Sequence, residues 1–144
     1  MIYLDSSVVF SVQGRDANTV AAIALIKSTP EQPILSQLCE VEFVNALGLR
    51  MYRKGISQTQ AQASIADFEQ NLLKGLYRTF PLPDRAFTRA KILAQTLTPA
   101  IGARAADLLY VSAAMELGAS ALYTFDQKQH RTAQTAGLAV NPLS

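Results

Sequence analysis

The chain has 144 residues, 49% of them hydrophobic, and a formal net charge of +2 at pH 7. This length suits one globular domain with a core of its own and is too short for two domains of ordinary size, so we expect one domain over residues 1–144. No apolar run approaches the roughly 18 residues that cross a membrane, and no basic stretch precedes an apolar one at the N-terminus, as a signal peptide requires. We therefore expect a soluble, cytoplasmic protein with no membrane partner.

The chain opens on an apolar run that ends on a carboxylate, Ile2-Tyr3-Leu4-Asp5-Ser6-Ser7. This pattern predicts a buried strand followed by the cap of a helix. Ligands of open α/β sheets bind just outside the carboxyl ends of strands, where catalytic and metal-binding groups are expected. Asp5 therefore becomes the first candidate site residue, although a purely structural capping role stays open.

Helical and strand patterns alternate along the rest of the chain, with Gly, Pro and capping residues at their ends. Predicted helices cover residues 8–13, 17–27, 37–54, 57–74, 84–97, 103–117 and 126–136. Predicted strands cover residues 34–36, 77–80, 121–124 and 138–140. Strands separated by helices need crossover connections, so the pattern predicts an α/β fold, a three-layer α/β/α sandwich with a mostly parallel central sheet.

Three of these segments carry further expectations. The helix over residues 37–54 is apolar nearly all the way round, which predicts that it is buried between layers, and Cys39 within it is expected to be a core residue. It forms a predicted helical hairpin with the more exposed helix over residues 57–74. Residues 98–102, which include Gly102, are expected to form a loop.

The basic residues of the chain are concentrated in its middle. Between Arg50 and Arg104 there are nine basic and three acidic residues, a local net charge of +6. Such a segment suits a polyanionic partner such as nucleic acid, although an ordinary solvated helical surface has the same composition. The candidate nucleic-acid contacts are Arg78, Arg85 and Arg89.

Two more aspartates occupy suggestive positions. The strand at residues 121–124 ends one residue before Asp126, which repeats the arrangement at Asp5, and two such strand ends lie side by side when their strands are neighbours. Asp107 lies in the first turn of the helix over residues 103–117. Its alternative is a structural charge at the helix N-terminus, paired with Arg104 three positions earlier.

The helix over residues 37–54 carries two glutamates, of which only one can join a cluster. Glu40 and Glu42 point roughly 160° apart at about 100° per residue. Glu42 shares its stripe with the polar Asn45, whereas Glu40 shares its stripe with apolar residues. We therefore select Glu42.

Several carboxylates brought together need cations or protons to neutralise them. Oxygen ligands suit hard ions, and Mg²⁺ or Mn²⁺ bridge carboxylates to phosphates and generate hydroxide from bound water. No glycine-rich phosphate loop and no CxxC pair occurs in the sequence, which removes the nucleotide-cradle and thiol-zinc classes. The chemistry that fits is metal-dependent cleavage of a phosphodiester.

Four stretches occur in a fixed order: Tyr3-Leu4-Asp5-Ser6-Ser7, Glu42-Phe43-Val44-Asn45-Ala46-Leu47, Arg104-Ala105-Ala106-Asp107-Leu108-Leu109 and Thr124-Phe125-Asp126. In composition, order and spacing they resemble the PIN-domain ribonucleases, and among them the VapC-like toxins of bacterial toxin-antitoxin pairs. The resemblance covers essentially the whole chain. It implies a compact α/β/α domain that cleaves RNA as an endonuclease with Mg²⁺ or Mn²⁺.

The resemblance also assigns roles to residues. Metal binding and catalysis would fall on four acids: Asp5, Glu42, Asp107 and Asp126. The supporting residues would be Ser6, Ser7, Asn45, Arg104 and Thr124. An antitoxin and a second copy of the chain are the implied protein partners, with the basic segment as the rim that contacts RNA and the helical hairpin as the partner surface.

Two other functions stay open at this point. One is a catalytically silent RNA- or protein-binding module on the same fold, and the other is an acid-cluster phosphatase that acts on small phosphates. His130, the single histidine, lies in the polar run at residues 127–131, which predicts a solvated helix face rather than a catalytic site. Tyr52 and Tyr77 are interpreted as packing residues in preference to stacking platforms for bases.

Overall fold

The computed structural model describes residues 1–14 and 16–143, in which strands and helices alternate along the chain. The strands within this part are β1 (Ile2–Leu4), β2 (Ile34–Ser36), β3 (Arg78–Phe80), β4 (Ala121–Tyr123) and β5 (Ala139–Val140). The helices are α1 (Ser6–Gly14), α2 (Thr19–Ser28), α3 (Gln37–Tyr52), α4 (Gln58–Leu73), α5 (Asp84–Thr96), α6 (Thr98–Ile101), α7 (Ala105–Glu116) and α8 (Gln127–Thr135). Most predicted boundaries fall within two residues of these.

The strands form one sheet in the order β3-β2-β1-β4-β5, and all its pairings are parallel. Tyr3 on the central β1 lies opposite Ile34 on one side and Leu122 on the other. Right-handed crossovers place the helices of the two halves of the chain on opposite faces. Accordingly α1 packs against α2, α3 and α4, whereas α7 packs against α5 and α8. The α/β/α sandwich is confirmed.

The core covers both faces of the sheet, and a row of aromatic rings runs through its α1–α4 side. Phe10, Phe43, Phe68 and Tyr77 contact one another in sequence, with ring centroids 4.9 to 6.2 Å apart. Phe43 and Phe68 lie on the inner faces of α3 and α4, so they join the two helices of the hairpin. Burying each such side chain contributes about 1.5 to 3 kcal/mol. Tyr77 is therefore a packing residue, as predicted, whereas the same prediction is wrong for Tyr52, which is 85% exposed near the end of α3.

The predicted burial of α3 between layers is wrong. Cys39, Phe43 and Leu47 are buried along one stripe, but Val41 is 66% exposed and Val44 is 45% exposed on the opposite side. The apolar composition of α3 predicts burial on all sides, but no element in the described part of the chain covers its outer face. The expectation that Cys39 lies in the core is confirmed.

Two expectations about polar or irregular segments are also wrong. Residues 98–101 form the short helix α6 rather than a loop, and Gly102 ends it with φ +69°, a conformation that suits glycine. The run at residues 127–131 is only partly solvated, because Gln129 is buried on the inner face of α8. None of the helices in the described residues is long and apolar enough to cross a membrane.

Candidate active site

The polar residues of interest meet where the strand order of the sheet changes direction. From β1 the chain proceeds to β2 and β3 on one side, and it then returns to β4 and β5 on the other side of β1. The carboxyl ends of β1 and β4 therefore flank the switch point, the usual ligand position in an open parallel sheet. Asp5 directly follows β1, and Thr124 and Asp126 follow β4. The predicted neighbourhood of these two strand ends is thus observed.

Asp5 is buried and surrounded by hydrogen-bond donors. Its Oδ1 accepts bonds from the Ser7 hydroxyl at 2.5 Å, from the Ser7 backbone N–H at 3.0 Å and from the Val8 N–H at 3.4 Å. Its Oδ2 accepts one bond, from the Thr124 hydroxyl at 2.5 Å. Asp5 thus caps α1, as the structural alternative requires, and Oδ2 keeps acceptor capacity for a further partner.

The carboxyl of Asp5 titrates well above its ordinary range. Burial raises its pKa to about 6, while the hydrogen bonds from Ser7, Thr124 and Val8 act in the opposite direction. The donors favour the charged form and the loss of water favours the neutral one, and the loss of water dominates. A bound cation would stabilise the charged form further.

The hydroxyls of Ser7 and Thr124 extend this network to the β4 end. The Phe125 N–H donates to the Ser7 hydroxyl at 2.9 Å, and the Asp126 N–H donates to the Thr124 hydroxyl at 3.0 Å. The Thr124 N–H in turn donates to the side-chain oxygen of the buried Asn141 at 2.7 Å. Asn141 was absent from the sequence prediction, although it directly follows a strand, the same signal that marked Asp5.

Glu42 contributes the second carboxylate on the β1 side. Its Oε1 accepts a hydrogen bond from the Ser6 hydroxyl at 3.0 Å, so Ser6 links it to the residue next to Asp5. The Tyr110 hydroxyl is buried beside Glu42 and Ser6 but reaches neither in hydrogen-bonding geometry, and no other described residue partners it. Burial, with Cys39 and Glu42 nearby, raises the pKa of this phenol far above its ordinary value. The sequence prediction did not include Tyr110.

Asp107 and Asp126 share a cation. The Arg104 Nε lies 3.5 Å from Asp107 Oδ2, and the terminal Nη2 of the same guanidinium lies 3.8 Å from Asp126 Oδ2. The Arg104 backbone N–H also donates to Asp107 Oδ2 at 3.2 Å. Asp126 Oδ1 accepts a bond from the Gln129 N–H at 2.9 Å and caps α8. The local pairing of Asp107 with Arg104 was predicted, whereas the bridge to Asp126 was not.

Gln129 and His130 hold α8 in place. The Gln129 side-chain amide donates to the Asp107 backbone carbonyl at 3.2 Å, which ties the start of α8 to α7. His130 Nε2 lies 2.6 Å from the Asn141 carbonyl and therefore donates to it. This position agrees with the predicted noncatalytic role of His130. Gln129 was missed because a polar side chain in this run was expected to be exposed to solvent.

The four predicted acids thus form two linked pairs. Ser6 joins Glu42 to the Asp5 end, Arg104 joins Asp107 to Asp126, and the Thr124 hydroxyl connects the two pairs through Asp5 and the Asp126 N–H. Within the described residues no three acidic, histidine or cysteine side chains are close enough to hold a metal ion. Their donor chemistry nevertheless fits a hard divalent ion, because every donor is a carboxylate oxygen and one pair already shares a cation. The four-residue metal site stays a prediction.

A family model for the PIN domain matches residues 2–134. The chain belongs to the PIN domain family. The family membership that the four sequence stretches indicated is thereby confirmed, over nearly the whole chain.

Solved structures share this PIN fold at low sequence identity. FitAcB from Neisseria gonorrhoeae is 20% identical, with a TM-score of 0.74 over 99% of this chain and 97% of that chain. VapC20 from Mycobacterium tuberculosis, described as a sarcin-ricin loop cleaving toxin, is 19% identical, with a TM-score of 0.68 over 99% of this chain and 100% of that chain. VapBC2 from Rickettsia felis, bound to a promoter DNA fragment, is 19% identical, with a TM-score of 0.65 over 98% of each chain. No curated protein sequence matches the chain.

Two adjoining clefts lie beside the acidic residues of the PIN domain. One of about 310 Å³ is bordered by Ser6, Ser7 and Asp126. It shares Asn18 and Phe125 with a larger cleft of about 680 Å³ between α2 and residues 141–143. No charged side chain lines the larger cleft, so the two clefts differ in the kind of ligand that suits them.

The three arginines predicted to contact RNA, and the predicted supporting residue Asn45, lie in different surroundings. Arg89 donates to Glu116 at 2.8 Å, and the Arg78 guanidinium lies 4.7 Å from the centroid of the Phe80 ring, so both have partners within the chain. Arg85 is exposed in the first turn of α5. Asn45 is exposed on α3, one turn beyond Glu42, and takes no part in the network around the acids. The roles of these four residues stay predictions.

Proposed function

We propose that this PIN domain is an endoribonuclease that depends on Mg²⁺ or Mn²⁺ and serves in the cytoplasm as the toxin of a toxin-antitoxin pair. The observation that carries the proposal is the placement of buried Asp5 at the switch point, with its pKa raised to about 6 by burial and the other acids linked around it. The fold shared with VapC20, a toxin described as cleaving the sarcin-ricin loop, supports RNA as the substrate.

Different residues of the chain would have different roles in such a reaction. Asp5, Glu42, Asp107 and Asp126 would hold the ion, which supplies a Lewis acid for the phosphoryl oxygen and lowers the pKa of water. The hydroxyls of Ser7 and Thr124 fix both oxygens of Asp5, and the Ser6 hydroxyl orients Glu42. These hydroxyls act on the carboxylates and thereby position the ligands, in the way outer partners tune metal sites.

An assay with two substrates tests the proposal against its alternatives. We expect purified protein to cut a structured RNA with Mn²⁺, to stop in excess chelator, and to leave a chromogenic phosphate ester unchanged. Asp5→Asn should abolish cutting, whereas Asp67→Asn, which changes an exposed acid on α4, should not. Hydrolysis of the ester alone would establish the phosphatase, and RNA binding without cutting would establish the silent module.

The antitoxin proposal is supported by the larger cleft. Because this cleft is uncharged and adjoins the acids, a segment of a protein suits it better than a phosphate backbone does. Solved structures with this fold include complexes described as VapBC2 and VapBC-1. We expect the product of a neighbouring reading frame to copurify with this chain and to inhibit RNA cleavage. Copurification without inhibition would contradict an antitoxin role.

A homodimer is proposed from the exposed apolar face of α3, which carries Val41, Val44 and Tyr52. Exposed apolar surface of this kind is typical of protein interfaces. Sedimentation of the isolated protein should give the mass of two chains, and Val41→Glu should reduce it to one. A monomer at micromolar concentration would contradict the proposal.

A further inference from the structure

Arg104 is placed by the chain so that its guanidinium stands between two acids from different elements. Gly102 ends α6 in the left-handed conformation, and two residues later Arg104 occupies the N-cap position of α7. From there it reaches Asp107 in the first turn of α7 and Asp126 at the end of β4. The Arg104 side chain is 71% exposed, whereas Asp107 is 9% and Asp126 is 39% exposed. The guanidinium can therefore leave for solvent while the two acids stay.

The oxygen of Asp126 that Arg104 approaches is the one that a metal ion would need. Asp126 Oδ1 is engaged as the cap of α8 through the Gln129 N–H, which leaves Oδ2 for other ligands. Arg104 Nη2 faces that same Oδ2. An ion that binds Oδ2 would bring two positive charges within a few ångströms of each other, and like charges at that distance repel.

We propose that Arg104 is an internal counterion that holds Asp107 and Asp126 in the metal-free protein and competes with the divalent ion for them. This inference rests on the proposed metal-dependent function. Arg104 is a positioning residue here: it neutralises the two carboxylates until the ion arrives and must then swing away. A competitor that is already bound weakens the apparent affinity for the ion.

Metal titration without RNA tests the competition directly. The dissociation constant for Mn²⁺ is measured by the EPR signal of the free ion, for wild type, Arg104→Gln and Lys128→Gln. Lys128 is an exposed cation in the first turn of α8, so its loss controls for the general change in charge. We expect Arg104→Gln to bind Mn²⁺ about three- to ten-fold more tightly than wild type, from the loss of two weak ion pairs, and Lys128→Gln to stay within about two-fold.

Each outcome of this titration decides something. Equal or weaker binding by Arg104→Gln, while wild type binds Mn²⁺, overturns the competition and leaves the proposed function intact. Equally tighter Mn²⁺ binding in both variants overturns the competition as well, because the general change in charge would then explain the effect. A wild type that does not bind Mn²⁺ overturns the metal-dependent function and this inference together.

A second measurement keeps the test independent of the variants. In wild-type protein the Nε–Hε NMR signal of Arg104 reports on its contact with Asp107. Addition of the diamagnetic Mg²⁺ should shift that signal toward the position of a solvated arginine, while the Arg131 signal on exposed α8 surface stays in place. An Arg104 signal that does not move at saturating Mg²⁺ contradicts displacement.

Discussion

The two halves of the acidic site stabilise their carboxylates by different means. Asp5 is buried, its partners are neutral hydroxyl and amide donors, and its pKa rises to about 6 because burial outweighs them. Asp107 is also buried, Asp126 is about half-buried, and the two share the charged Arg104. When no metal is present, a proton on Asp5 therefore stabilises the first half below about pH 6, and the Arg104 guanidinium stabilises the second. A divalent ion would replace both the proton and the guanidinium. Because the two halves are neutralised differently without metal, we expect them to respond to different perturbations.

The largest effect is expected from Asp5→Asn, measured by urea unfolding at pH 4.5 and pH 7.5. The folded pKa of about 6 lies above the ordinary value of 3.8, so the folded state keeps a proton that the unfolded state releases. This contribution to stability is fully present below about pH 4 and is lost as pH rises through 6, by about 3 kcal/mol in all and about 2 kcal/mol between pH 4.5 and pH 7.5. Asp5→Asn should lose this dependence and exceed wild type in stability at pH 7.5. An unchanged pH dependence would contradict the burial of a charge there.

A smaller effect, on activity, is expected from Glu42→Gln, with Glu40→Gln as its matched control on the same helix. Glu42 receives the Ser6 hydroxyl at 3.0 Å and is the predicted ligand. Cleavage of RNA should fall by about 10- to 100-fold or more in Glu42→Gln, the range seen when metal sites lose supporting groups. Glu40→Gln should cleave at the wild-type rate. Equal losses in the two variants would remove the distinction between the glutamates.

Thr124→Val removes a hydroxyl that serves both halves at once. It deprives Asp5 of one donor and leaves the Asp126 N–H without its acceptor, at a buried position. We expect a loss of about 1 to 3 kcal/mol in the free energy of unfolding. Thr135→Val is the control, because Thr135 is exposed and its hydroxyl donates only to the Arg131 carbonyl within α8. This variant should change stability by less than about 0.5 kcal/mol. Similar losses would mean that the shared hydroxyl has no special role.

The smallest effect on stability is expected from Asp126→Asn. Asn caps a helix about as well as Asp, and the 3.8 Å pair with Arg104 is too exposed to contribute much. The melting temperature without metal should therefore change by only a few degrees, which corresponds to less than about 1 kcal/mol. The rise produced by Mn²⁺ should nevertheless shrink in the variant, since a ligand is lost. An equal rise in both proteins would exclude Asp126 as a ligand.

The positions of Asp5 and Asp126 after strand ends could be predicted because the signal for such a position is local. An apolar run that ends on Asp5, or one residue before Asp126, reports its own position at the edge of a parallel sheet. The pairing of Arg104 with Asp107 was accessible for the same reason, since helix geometry alone brings them together. The order of the strands, which puts β1 beside β4, could not be predicted from any single segment.

The missed features depend on contacts between distant segments. Gln129 is polar and was assigned to solvent, but its amide nitrogen donates to the Asp107 carbonyl 22 residues away, which offsets part of the cost of burial. Its side-chain oxygen is buried without a partner among the described residues. Val41 and Val44 are apolar and were assigned to the interior, but the described part of the chain has nothing to cover them. The composition of a segment shows which of its side chains favour burial. It does not show whether another segment is available to cover them.

The most direct test of the account is whether one ion joins the two halves. Mn²⁺ binding is measured without RNA, by the EPR signal of the free ion, for wild type, Asp5→Asn and Asp126→Asn, which remove one charge from each half. If the halves share the ion, wild type binds it and both variants lose at least about ten-fold in affinity. If wild type does not bind Mn²⁺, or if only one of the two variants weakens binding, the shared metal site is contradicted.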